Sequence, residues 1–122
     1  MTESIVNKLK ALKDKSDHEQ YPMSCVVLYK GRALSGASNC NKTHPQVSRI
    51  NPVKKMHCEI AAVLRIKPVD ILKHCLVVIY RESKDGKMAL ARPCPTCMIF
   101  LKQKGVRKIS YSTPVGFVEE KI

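Results

Sequence analysis

His57, Glu59, Cys94 and Cys97 are the residues whose types and spacing could do chemistry. They stand in two short stretches, Met56-His57-Cys58-Glu59 and Arg92-Pro93-Cys94-Pro95-Thr96-Cys97, which supply one imidazole, two sulfurs in a Cys-x-x-Cys pair and one further carboxylate. Zinc accepts imidazole nitrogen and thiolate sulfur in tetrahedral geometry. Structural sites close all four positions with protein, whereas catalytic sites keep one for water. Three ligands, His57, Cys94 and Cys97, with Glu59 left over to handle protons, are the outline of a catalytic zinc site.

Both stretches read as the starts of helices, and that placement has a reason. The first turn of a helix exposes unpaired backbone N–H groups and a partial positive charge, which lowers thiol pKa and favours metal-binding thiolates. Zinc brings the pKa of a bound water to roughly 7 in favourable sites, against 15.7 in bulk. Glu59 could take that water's proton and deliver it to a ring nitrogen and then to a leaving amine, one group serving as general base and general acid. Attack on an amino-substituted aromatic carbon would then expel ammonia. Taken alone, the Cys94-x-x-Cys97 pair fits half of a structural zinc site or a redox pair as well, with Cys40, Cys58, His44 and His74 as candidates for a closing ligand.

The elements that must position these residues follow from periodicity. Ile5, Val6, Leu9 and Leu12 recur at helical spacing between lysines, which predicts an amphipathic N-terminal helix. Residues 24–29 and 32–38 flank Lys30-Gly31 and predict a β-hairpin. Residues 39–55, rich in Asn and Pro, predict a long loop of the kind that often carries function. A helix is expected over 57–65, stopped by Pro68, and a strand buried on both faces over 76–80. After a polar excursion over 81–90 with Asp85-Gly86 at its turn, a helix is expected over 95–104, ended by Gly105. A strand over 106–111 and a last one over 117–122 complete the chain. The fold class is therefore α/β, a mixed sheet with helices packed on its faces. The short link before the last strand makes the final two strands antiparallel, since a parallel pair needs a crossover of about a dozen residues or more.

At 122 residues the chain fits a single domain spanning 1–122, with an ordinary hydrophobic share of 44%. No apolar run approaches the roughly 20 residues of a membrane span, and residues 1–15 are charged throughout, unlike a secretion signal. The expectation is a cytoplasmic protein with no membrane partner. Cys25, Cys58 and Cys75 lie in or beside apolar runs, so the six cysteines read as reduced thiols plus one metal pair; Cys25 and Cys75 are expected in the core. The formal charge of +12 favours anionic partners such as nucleotides or nucleic acid, though scattered lysines also make a solvated surface.

His57-Cys58-Glu59 followed by Pro93-Cys94-Pro95-Thr96-Cys97 resembles the zinc-dependent cytidine and deoxycytidylate deaminase superfamily, whose signature is H-x-E with P-C-x-x-C. The order of elements over 24–111 is similar to that fold as well. The resemblance implies a three-layer architecture with a sheet of about five strands, Zn2+ on His57, Cys94 and Cys97, and Glu59 as proton shuttle. It further implies substrate contacts at Asn39, at the backbone around Cys58 and at Pro93. Relatives commonly assemble as oligomers, so a homo-oligomer is expected. The chain departs from the pattern at Cys58, commonly Ala in relatives, and at Arg92, commonly acidic or small, which would favour an anionic substrate. The antiparallel ending resembles the free-nucleoside branch more than the branch of deoxycytidylate and tRNA deaminases.

Three functions compete. The first is deamination of cytosine in a free (deoxy)cytidine nucleoside or nucleotide such as dCMP, with Arg92, Lys54 and Lys55 as phosphate contacts and Arg49 a further candidate. The second is deamination of cytosine, or adenine, in single-stranded DNA or RNA, supported by the charge but opposed by the aromatic supply of no Trp, two Phe and four Tyr. The third is a zinc-stabilised binding module without activity. The first is preferred.

Overall fold

A computed structural model describes residues 3–14, 23–38, 58–67, 69–83 and 85–122. Within these, helix α1 (Glu3–Lys13) precedes the hairpin β1 (Met23–Tyr29) and β2 (Arg32–Ser38). Then come α2 (Cys58–Leu64), a 3-10 turn (Val69–His74), β3 (Cys75–Arg81), α3 (Pro95–Gln103), β4 (Lys108–Thr113) and β5 (Gly116–Lys121). The five strands form one sheet in the order β2-β1-β3-β4-β5. Every neighbouring pair is antiparallel except β3 and β4, so the sheet is mixed and its last two strands are antiparallel, as expected. Because α3 links the parallel pair, β3-α3-β4 is a crossover unit, and α3 begins on the side of the sheet where β3 ends.

Side chains alternate across a strand, and here both alternate sets are apolar. Val26, Leu28, Val78 and Tyr80 face α1, closing over Ile5 and Leu9. Cys25, Val27, Val77, Ile79 and Ile109 face the other way and pack with Ile60, Val63, Phe100 and Leu101 of α2 and α3. Helices therefore cover both faces, which is why β1 and β3 carry continuous apolar runs.

Local chemistry sets the ends of the elements. The hairpin turns on two residues, with Tyr29 opposite Arg32 and both Lys30 (φ 51) and Gly31 (φ 78) left-handed, the backbone that a type I′ turn demands. Gly105 (φ 97) ends α3, its N–H bonding Lys102 at 3.1 Å, while the Val106 N–H reaches back to Leu101 at 3.0 Å. These two bonds make a Schellman motif. They also correct the strand expected over 106–111: Val106 spends its N–H on closing the helix, so the β4 ladder starts at Lys108. Lys104 caps α3 instead of extending it. The 3-10 turn before β3 has no counterpart in the sequence reading. The expected loop over 39–55 lies outside the described residues.

Candidate active site

The starts of α2 and α3 bring Glu59 against Cys97, which in turn lies against Cys94. Cys94 precedes the first turn of α3 in extended backbone, φ −67 and ψ 163, with Pro95 as the first helical residue, where a missing N–H costs nothing. The Met98 N–H bonds the Cys94 carbonyl at 2.9 Å and closes that turn. Cys97 lies within it, fully buried, while Cys94 is part-exposed. The segment leading into α3 is pinned to the ends of β3 and β4: Ala89 N–H to the Arg81 carbonyl at 2.9 Å and Ala91 N–H to the Ser112 carbonyl at 2.9 Å. Pro93 is buried in this segment. The Ser112 hydroxyl adds a bond to the Ala89 carbonyl at 2.7 Å and accepts one from the Arg81 N–H at 3.1 Å.

Helix α2 is short, and side chains on its flank hold it to β2. The Ser35 hydroxyl donates to the Ala62 carbonyl at 2.8 Å, and the Arg65 guanidinium reaches the Gly36 carbonyl at 2.5 Å. Its first turn carries Cys58 and Glu59, both buried, with Glu59 only 1% exposed. The Cys58 thiol donates to Glu59 Oε2 at 3.3 Å. Glu59 also meets the Cys97 thiol, which lies against Cys94. Behind Cys58 stands Cys25 of β1, the two thiols in hydrogen-bonding contact.

Electrostatics follow from dryness. Burial first, then the Glu59 carboxylate and Cys94, push the Cys97 thiol far up. Burial, with Cys25 and Glu59, likewise pushes Cys58 well up. Burial also raises Cys25. A bound divalent cation inverts this logic for a coordinating thiol by deprotonating it outright. Among the described residues no three metal-ligating side chains converge; the Cys94–Cys97 pair at the start of α3 is a soft donor pair of the kind zinc accepts when an imidazole joins it. The imidazole expected to do so, His57, lies outside the described residues, as do Asn39, Lys54, Lys55, Arg49, His18, His44 and Cys40. His74 is exposed at the end of the 3-10 turn, and Cys25 and Cys75 are core residues as expected.

Arg92 is half-exposed and engaged. Its Nε and one terminal nitrogen bond both carboxylate oxygens of Glu120 on β5 at 3.1 Å each. The guanidinium holds the Glu120 carboxyl below its ordinary value. Two partners thus emerge that the sequence did not suggest: Glu120 for Arg92 and Cys25 for Cys58. Nothing in the spacing of either pair signals it, since both arise from strand placement.

Among protein families, one matches most of the chain. The family described as "Cytidine and deoxycytidylate deaminase zinc-binding region" matches residues 1–113. A comparison with curated proteins returns no match. With the family's region running through all the elements from α1 to β4, the chain belongs to the cytidine and deoxycytidylate deaminases, a zinc-dependent deaminase family.

Proposed function

We propose that this chain converts cytosine to uracil in a free (deoxy)cytidine nucleoside or nucleotide such as dCMP, releasing ammonia. The observation that carries the reading is the Glu59 carboxylate, 1% exposed and set against the Cys97 thiol where α2 and α3 begin. Burying a carboxylate is costly unless partners compensate it, so such a group is kept for its chemistry more readily than for stability.

His57, Cys94 and Cys97 would hold the zinc, whose Lewis acidity lowers the pKa of a water molecule toward roughly 7. Glu59 accepts a proton at its carboxylate from the attacking water and passes it to the ring nitrogen beside the amino-bearing carbon. Oxygen adds to that carbon, the carbon–nitrogen bond breaks, and Glu59 delivers the second proton to the departing amine. Asn39, the backbone at Cys58 and Pro93 hold the base and sugar.

A free substrate is favoured because no Trp, two Phe and four Tyr in this sequence offer little stacking surface for a strand. Lys54 and Lys55 remain phosphate contacts in this reading, and a phosphate at Arg92 has to displace Glu120. The +12 charge favours the second reading, cytosine or adenine in single-stranded nucleic acid. Zinc-loaded protein offered dCMP and a cytosine-containing oligonucleotide in parallel decides between them. Uracil from the nucleotide alone supports the first reading; uracil from the oligonucleotide alone replaces it with the second. We expect a homo-oligomer within a cytoplasmic setting, and a monomeric mass by light scattering would remove the former.

A further inference from the structure

The Cys58 thiol has no assigned part in the reaction, yet it touches the group that does the proton transfer. Cys58 and Glu59 are sequence neighbours, and adjacent side chains on a helix ordinarily point away from one another. Here they meet, with Cys58 Sγ to Glu59 Oε2 at 3.3 Å, both residues no more than 1% exposed. The contact is held from behind. Cys25, fully buried in the middle of β1 between Ala37 of β2 and Ile79 of β3, backs the Cys58 sulfur. The sheet thereby reaches the carboxylate through two sulfurs.

We propose that Cys58 is a positioning residue for the Glu59 carboxylate, its S–H holding Oε2 in place for proton transfer, with Cys25 fixing the thiol from the sheet. The proposal rests on the reading of Glu59 as the proton shuttle. A thiol is a weak donor, but in a dry site a hydrogen bond to a charged acceptor gains strength and fixes direction. Alanine, which lacks the donor, removes one of the contacts that fix the carboxylate about its terminal torsion, a broad and soft one. A group that must accept from water and then donate to two nitrogens loses rate when its orientation spreads, whereas substrate binding does not sense it.

The test compares kcat and KM for deamination by zinc-loaded wild type, Cys58→Ala, Cys58→Ser and Glu59→Gln. Cys58→Ala lowers kcat about tenfold, the scale of one hydrogen bond to a charged group, with KM within about twofold, the pattern of an interaction made in the transition state. Cys58→Ser, which keeps a donor, recovers most of that loss. A Cys58→Ala enzyme with unchanged kcat, or a serine variant no better than alanine, overturns the proposal. Glu59→Gln separates the two levels: if it is dead while Cys58→Ala is normal, only the role of Cys58 falls; if it turns over normally, the shuttle reading falls and this proposal with it. Should Cys58→Ala fail to fold, infrared difference spectra of wild type against Glu59→Gln decide. An S–H band that moves to higher frequency on losing the charged acceptor supports the contact, and superimposed S–H bands overturn it.

Discussion

Glu59, Cys58, Cys97 and Cys25 share one buried neighbourhood, each at most 1% exposed. In such a place every charge and hydrogen bond acts more strongly than at the surface, and every unpaired group costs more. Glu59→Gln keeps the shape of the side chain and removes its charge. Turnover is expected to fall by about 10²–10⁴, the usual worth of a positioned acid or base, with zinc content and circular dichroism unchanged; a variant that forms uracil at the wild-type rate excludes Glu59 from the chemistry. The H-x-E and C-x-x-C stretches single out Glu59, Cys94 and Cys97 as candidates because metal ligation dictates residue type and short spacing. Cys25 was legible only as a core residue. Its contact with Cys58 depends on α2 packing over β1, which no local pattern encodes.

Among the elements, α1 closes the face of the sheet opposite α2 and α3, and Leu9 is its fully buried centre, its carbonyl accepting the Ser24 hydroxyl at 2.6 Å. Leu9→Ala should destabilise the fold by about 2–5 kcal/mol, the range for emptying a leucine site, read as a lower urea midpoint. Since α1 lies across the sheet from Glu59, kcat of the folded fraction should hold; a lost kcat with intact stability contradicts that layering. At the other edge, Arg92 and Glu120 tie the segment before α3 to β5. The pair is solvent-screened, so Glu120→Gln should move the melting temperature little. The depressed Glu120 carboxyl means that whatever the pair contributes is present at neutral pH and fades as pH falls through the carboxylate range. Releasing Arg92 should lower KM for dCMP more than for deoxycytidine; equal KM changes would place Arg92 away from the phosphate.

For the whole molecule, the +12 charge is the property with the largest reach. If the substrate is a free nucleotide, kcat/KM should fall only modestly between 50 and 200 mM salt, whereas a strand held at 6–10 phosphates would lose roughly 10³–10⁵ in affinity. A steep salt dependence would therefore identify the basic surface as a binding track. No helix among the described residues is long and apolar enough to cross a membrane. The sequence by itself determined the class of fold, the hairpin at Lys30-Gly31 and the stop of α3 at Gly105, because each rests on periodicity or backbone permissiveness within a few residues. Only the tertiary structure decided that β1 lies between β2 and β3, that β3 and β4 run parallel, and that Glu59 meets both Cys58 and Cys97. Those choices are made by burial of apolar faces distant in sequence, an energy that belongs to the assembled layers and to no single segment.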